Sequence, residues 1–350
     1  MDMETIPFET LNLIVSPCLC VKDGRIFRCN QAADPLMLPE GCEITPLLAT
    51  GREEYAAFRG GSLYLTLNIS GTVFGAEVER RGDWDFFLLE GPEETRELRA
   101  LALAAADLRE PLAGIQASAE MLAREAGPEA ERQTAALNRS MAQMLRVIGN
   151  MSAAAAGLSR QELVEITAVF REIFEKAQTL LRGIDLSLSY HGPEHSLYCV
   201  ADTQELERAI LNLLSNAAKF TPKGGSITAS LTRQGRMLRL CVQDTGSGIS
   251  DAIRGSVFRR YLRQPSIEDG RSGLGLGMVM VRSAASHHGG TVLMDRPPQG
   301  GTRVTMTIAI RQDGGTQLRS PLLRIDYAGE RDHALMELSD VLPAEYYRDF

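Results

Sequence analysis

The sequence predicts an α+β chain of several units, and three observations predict it. Residues 1 to about 91 carry five short apolar runs separated by Gly, Asp and Pro turn signals. From 92 to 160 the chain becomes rich in Leu, Ala, Glu and Arg, with apolar residues at alternating steps of three and four. From 161 to about 311 strand-like and helix-like patterns alternate, as in a two-layer α/β sandwich. At 350 residues there is room for two or three compact domains. A net charge of −8 argues against a nucleic-acid partner, which needs a concentrated basic surface. The acidic start Met1-Asp2-Met3-Glu4 lacks a signal-peptide pattern, and no apolar run approaches the ~20 residues of a membrane helix. A cytoplasmic protein without a membrane span is expected.

In the first unit the runs LNLIVSPCLCV, GRIFRCN, SLYLTLNI, TVFGAEVE and DWDFFLLE read as strands, with turns at Asp23-Gly24, Gly60-Gly61 and Gly82-Asp83. Four of the six cysteines, Cys18, Cys20, Cys29 and Cys42, lie here without paired CxxC spacing, so they are expected to be reduced thiols rather than a zinc site. The strand hairpin, the Asn30-Gln31-Ala32-Ala33 stretch and the final strand run together resemble a PAS domain. That resemblance implies ligand sensing or dimerisation.

In the second unit Leu98, Leu101, Ala105, Leu108, Leu112, Ile115, Ala119 and Leu122 form a heptad seam. Gly127-Pro128 interrupts it, and it resumes at Leu137, Met141, Met144, Ile148, Met151, Ala155 and Leu158. Two helices of this kind make an αα-hairpin. Pairing with a second hairpin in a dimeric four-helix bundle is the expected way to bury both stripes; packing on the hairpin's own chain is the alternative.

In the third unit, helices are expected over 168–181 and 203–220, with strands at LVEIT, IDLSLSY, LYCVAD, SITASLT and LRLCVQD. Three clusters there suggest chemistry. Asn212, Asn216 and Lys219 fall on one face of a helix whose core stripe is Leu206, Ile210, Leu213 and Ala217. Mid-helix Asn costs roughly half a kcal/mol relative to Ala, so two of them one turn apart suit either an exposed polar face or a site. An amide oxygen suits Mg²⁺, and an ammonium suits phosphate. Asp244-Thr245-Gly246-Ser247-Gly248-Ile249 follows a strand, where glycines let the backbone approach a flat ligand; a plain β-turn uses the same residues. Ser272-Gly273-Leu274-Gly275-Leu276-Gly277 opens a helix, whose first amides and dipole favour an anion. The intervening 25 residues carry Arg254, Arg259, Arg260, Arg263 and Arg271 and read as a lid.

In the order NLLSNAAKFT, DTGSGI, VFRRY, SGLGLG, these clusters resemble the N, G1, F and G2 boxes of sensor histidine kinases, within the ATP-binding superfamily that includes gyrase and heat-shock chaperones (the Bergerat or GHKL fold). The resemblance implies a domain division at 1–91 (sensor), 92–160 (dimerisation and phosphotransfer hairpin), 161–311 (ATP-binding) and 312–350 (tail with a short amphipathic helix, HALMELSDVL). It also implies ATP and Mg²⁺ as cofactors. Asn216 would hold Mg²⁺ with Asn212 beside it, Lys219 would contact phosphates, and Asp244 would take the adenine amino group. Gly246, Gly248 and Ile249 would shape the adenine pocket and Phe258 would anchor the lid. Ser272, Gly273, Leu274, Gly275, Leu276 and Gly277 would form the phosphate loop.

The family's acceptor box on the first hairpin helix reads approximately S-H-E-L-R-T-P-L, and here the stretch is Ala105-Ala106-Asp107-Leu108-Arg109-Glu110-Pro111-Leu112. The acceptor position is Ala106, which has no nucleophile, so phosphorylation there is chemically impossible. Asp107 stands at the family's general-base position, and Glu110 replaces a residue tied to phosphatase activity. His191, His195, His287, His288 and His333 all lie outside the hairpin and are expected to be structural or solvated, His288 at a helix end. Two functions are open. One is a two-component signalling enzyme that transfers phosphate elsewhere; the other is an ATP-sensing scaffold that docks a response regulator or pairs, as a homodimer or heterodimer, with a competent kinase.

Overall fold

The computed structural model describes residues 8–90, 103–105, 107–108, 111–115, 117–119, 121, 128–155, 161–248, 258, 276–312, 332–348 and 350. The N-terminal sheet comprises β1 (Cys18–Lys22), β2 (Arg25–Cys29), β3 (Ser62–Ile69), β4 (Thr72–Arg81) and β5 (Trp84–Leu89), with 3-10 turns and the short helix α1 (Arg52–Ala57) between β2 and β3. The five expected strands therefore appear, with one difference. Leu11, Asn12 and Leu13, read as the start of a strand, end a 3-10 helix that runs over Phe8–Leu13. The physical reason is Asn30. Its buried side chain donates to the carbonyls of Leu11, Ile14 and Ser16 and accepts from the Cys18 amide, so the segment folds back around it before β1 can begin.

The unit expected over 161–311 holds β6 (Glu162–Glu165), β7 (Ser187–His191), β8 (Tyr198–Ala201), β9 (Ser226–Gln234), β10 (Met237–Asp244), β11 (Val292–Asp295) and β12 (Arg303–Ala309). The second hairpin helix is α2 (Pro128–Ala155), followed by α3 (Ile166–Arg182), α4 (Thr203–Phe220), α5 (Gly277–His287) and α6 (His333–Glu337). Proline at the first position of α2 starts it where the fixed φ suits a helix and its absent N–H is not missed. Asp202 caps α4 by accepting from the amides of Gln204 and Glu205. The amphipathic helices α3 and α4 bury Phe170, Phe174, Leu206, Ile210 and Leu213 in one core with Ile227, Leu238 and Leu240 of the sheet.

The units expected at 1–91 and 161–311 share one sheet. Strand order is β2-β1-β5-β4-β3-β11-β12-β10-β9-β7, joined where β3 pairs antiparallel with β11 (Ser62 to Met294, Leu63 to Leu293, Tyr64 to Val292). Gly61 permits that join: its φ is +97°, and a Cβ there would lie 2.3 Å from the Met294 carbonyl oxygen.

Part of the hairpin seam follows the alternative of packing on its own chain: Ala105, Leu112, Ile148 and Met151 cluster with Leu276, Val279 and Met280 of the α5 region. The positions 103–105, 107–108, 111–115, 117–119 and 121 are helical, as the spacing predicts. Within the 312–350 tail, Ala334, Leu338, Leu342 and Tyr347 belong to the main core.

Candidate functional site

The site expectation centres on α4, whose stripe Leu206, Ile210, Leu213 and Ala217 is buried as the spacing predicts. Asn216 and Lys219 are half-buried. Asn212 is fully buried, and its amide is engaged on both sides: Nδ2 donates to the Arg208 carbonyl at 2.9 Å and to Glu337 at 3.2 Å, and Oδ1 accepts from Arg146 at 3.3 Å. Expected beside a ligand, Asn212 is instead part of an internal network.

Gly277, at the start of α5, meets this face of α4. A Cβ added to it would stand 3.0 Å from Asn212 Oδ1 and 3.5 Å from Asn216 Nδ2. The opening of the helix after the glycine ribbon therefore abuts the asparagine pair, with only hydrogen between them. Asn216 is thereby next to the N-terminal end of α5, where free amides and the helix dipole attract negative charge. The donor set, a neutral amide oxygen, an ammonium one turn on and a helix start, is chemically suited to a phosphate with a hard divalent cation.

Asp244 ends β10, 5% exposed. Its Oδ1 accepts from the amides of Gly246 at 2.8 Å and Thr302 at 3.1 Å. Burial pushes this carboxyl above the usual carboxylate range, and those amides pull it partly back. The loop lies against the C-terminal end of α4: Ser247 N donates to the Phe220 carbonyl at 3.4 Å, and a Cβ on Gly246 would come within 2.4 Å of that same oxygen. So the aspartate loop and the Asn216–Lys219 turn share one end of the sandwich. Phe258 is buried and its ring lies 5.9 Å from that of Tyr64 on β3, so the N-terminal sheet reaches the residue assigned to the lid.

The remaining assignments divide between observed and undescribed positions. Asp107 is helical and exposed, Leu276 is buried and Gly248 has φ +77°. Ala106, Ile249, Ser272, Gly273, Leu274 and Gly275 lie outside the described residues, as do Glu110 and the lid arginines.

Three of the five histidines have structural partners, and His191 and His195 are exposed. His288 Nδ1 contacts the Ala284 carbonyl at 2.7 Å while Nε2 accepts from the Asp202 amide at 2.9 Å, which requires the neutral ring with its proton on Nδ1. Burial holds its pKa below the ordinary value. The adjacent His287 pairs with Glu205 at 2.7 Å, and that bond raises its pKa. His333 pairs with Glu207 at 2.8 Å.

Several contacts escaped sequence reasoning. Arg282 of α5 is ion-paired with Glu90 at 2.5 Å, and its guanidinium lies 5.3 Å from the Tyr64 ring centroid. Arg208 donates to the Gly149 carbonyl at 2.6 Å, tying α4 to α2. An arginine inside the otherwise apolar run GMVMVRSAASH is the one signal that could have drawn attention to Arg282.

Comparison with known proteins bears on this geometry. Residues 201–312 match the family described as histidine kinase-, DNA gyrase B- and HSP90-like ATPase. Over 260 residues the chain is 30% identical to the adaptive-response sensory kinase SasA of Crocosphaera subtropica, covering 69% of this chain and 68% of that protein. It is 31% identical over 240 residues to the histidine-protein kinase/phosphatase MprB of Mycolicibacterium vanbaalenii, covering 65% of this chain and 49% of that one. The chain thus spans about two thirds of the first of these relatives and about half of the second. Among solved structures, full-length ShkA in complex with AMPPNP aligns with TM-score 0.51 and 22% identity over 64% of this chain and 47% of that one, a likeness of fold.

Proposed function

The chain belongs to the sensor histidine kinase family, and we propose that it is a two-component signalling protein that binds Mg·ATP between α4 and the start of α5. The single observation that carries this reading is the abutment of Gly277 on Asn216, with the Asp244 loop anchored at the end of the same helix. Asn216 is assigned to the cation, Lys219 to the phosphates, Asp244 to the adenine amino group, and the glycines from 273 to 277 to the phosphate loop. Bound Mg²⁺ supplies charge neutralisation on the phosphates. The protein's own part is positional. Asn216 and Lys219 present a neutral and a cationic group one turn apart, and Asp244 presents a buried acceptor held by two amides. The likeness of fold to ShkA, solved in complex with AMPPNP, and the relatives' kinase names support the same reading.

A second reading, an ATP-sensing scaffold, is favoured by a specific observation: the acceptor position is Ala106, followed by Glu110 where the family orients water. The five-stranded N-terminal unit supports a PAS-like sensor role, and the exposed part of the hairpin seam supports association with a second copy or with a competent kinase, with a response regulator as the downstream partner. Incubation of the purified protein with γ-labelled ATP separates the readings. Label on the protein that disappears in Asn216→Ala supports an enzyme with an acceptor other than residue 106; binding by calorimetry without label or hydrolysis supports the scaffold. Absence of any nucleotide binding overturns both.

A further inference from the structure

The C-terminal residues 332–350 form bonds along the second hairpin helix that neither reading uses. Arg146 of α2 is their hub. Its side chain is 10% exposed, and it donates to Glu337 at 3.1 Å and to Asp340, both from the C-terminal segment, and to Asn212 of α4 at 3.3 Å. Glu337 is 1% exposed and also accepts from Asn212 at 3.2 Å. One guanidinium therefore joins three segments of the chain. An arginine fork suits this geometry because its donors are fixed in a plane and can face several acceptors at once.

The contacts continue toward the start of α2. Gln143 donates to the Ser339 carbonyl at 3.2 Å, Arg139 to the carbonyls of Ser339 at 3.1 Å and Asp340 at 3.3 Å, and Asn138 to the Tyr347 carbonyl at 2.9 Å. From Asn138 to Arg146 is a little over two helical turns. The segment's other side is fixed in the core: Leu338, Leu342 and Tyr347 are fully buried, the Tyr347 hydroxyl donates to the Leu335 carbonyl at 2.7 Å, and the Tyr346 hydroxyl donates to the Leu180 carbonyl of α3 at 3.4 Å. So an apolar underside anchors the segment to the nucleotide-type unit while a polar upper side holds the hairpin.

We propose that residues 332–350 are an internal clasp that fixes the second hairpin helix to the helix bearing Asn212 and Asn216. Movement of the hairpin relative to that unit then requires release of Arg146 from Glu337 and Asp340. Glu337 is buried against the cation while Asp340 stands at the partly exposed edge of the pair, so Glu337 is the contact that resists opening: separating it from Arg146 leaves a carboxylate without its cation in a low-dielectric site. The clasp stands on its own contacts and does not depend on what the unit binds.

The test is amide hydrogen exchange by mass spectrometry on the full chain, comparing wild type with Glu337→Gln/Asp340→Asn, which keeps side-chain shape and removes the charges. Exchange across residues 138–149 is expected to rise at least tenfold, with no change in β1 to β5. Because the doubly neutralised protein could lose its fold through the uncompensated arginine, Arg139→Ala/Gln143→Ala is measured beside it. That variant removes only bonds to carbonyls and is expected to raise exchange over the same residues several-fold. A rise confined to 138–149 in either variant supports the clasp. Exchange at wild-type rates in both, with intact circular dichroism, overturns it.

Discussion

Gly277→Ala tests the proposed nucleotide site with opposite expected signs for stability and binding. The backbone at 277 is helical, so alanine is conformationally welcome there and gains up to about 1 kcal/mol of helix propensity. The space is what fails. The new methyl would stand 3.0 Å from Asn212 Oδ1 and 3.5 Å from Asn216 Nδ2. Asn212 cannot yield cheaply, since it is fully buried and bonded to Arg208, Glu337 and Arg146. The displacement therefore falls on Asn216 or on the start of α5, the two groups assigned to cation and phosphate. A shift of a few tenths of an ångström in a hard-cation ligand and in a helix-start amide costs about 1.4–2.8 kcal/mol of binding, a ten- to hundredfold rise in Kd. Thermal unfolding is expected to change little or to rise, while calorimetric titration with Mg·ATP shows the weakened binding. A variant that binds as tightly as wild type with unchanged unfolding would refute the placement of the ligand between α4 and α5.

Asp244→Asn keeps an oxygen able to accept from Gly246 and Thr302 and removes a carboxylate that burial disfavours, so unfolding should be nearly unaffected; adenine-nucleotide affinity should fall about tenfold or more, because one acceptor becomes an NH₂ donor facing the adenine amino group. Fluorescent-nucleotide binding checks this, and undiminished affinity would move the adenine elsewhere. The histidine pair predicts opposed pH effects around the ordinary value of about 6.5. His288 has a lowered folded pKa, so its contribution is present above 6.5 and is lost as pH falls toward the folded value; His287 has a raised one, so its contribution is present below 6.5 and is lost as pH rises through the folded value. His287→Gln leaves only the first effect, and denaturant unfolding should show it losing more stability than wild type between pH 7.5 and pH 5; parallel curves would contradict the assignment.

What could be read from the sequence was whatever rests on local period and punctuation. The helix α4 was legible to its ends because Asp202 supplies a cap, Leu206, Ile210, Leu213 and Ala217 a stripe, and Pro222 a stop just beyond Phe220. The strands β9 and β10 were legible because alternate residues are buried along them. The juxtaposition of Asn216 with Gly277 is what the family resemblance implies, and the residues by themselves left it open. The join of β3 to β11 was not legible, because edge pairing between distant segments leaves no period, and Gly61 looks like any turn glycine until the Met294 carbonyl is seen beside it. Nor was the role of Asn212. Its spacing is identical to that of a ligand residue, and only the arrival of Arg146 and Glu337 from two other parts of the chain turns it inward. The run HALMELSDVL showed an amphipathic helix, but a period says that a face is covered without saying what covers it.

The same limit shapes the hairpin, where the heptad stripe divides into two sets with different fates. Ala105, Leu112, Ala119, Met141 and Ile148 are at most 6% exposed. Leu108 and Ile115, and Leu137 and Met144 on α2, are 39–49% exposed, so among the described residues a part of the stripe faces outward. These four large apolar side chains lie on the heptad seam of the two hairpin helices, and a second copy of the hairpin presents the same residues in return, as a twofold contact requires. Fully burying such a side chain contributes about 1.5–3 kcal/mol, and twofold symmetry counts each residue twice. Leu108→Glu/Met144→Glu places four carboxylates in that contact without lowering helix propensity much. Association is therefore expected to weaken by at least a hundredfold while circular dichroism is retained, measured by sedimentation velocity over a concentration series. If the variant sediments as wild type does at every concentration, the exposed part of the stripe is not the dimer contact, and the packing of α2 on its own chain is all that the heptads encode.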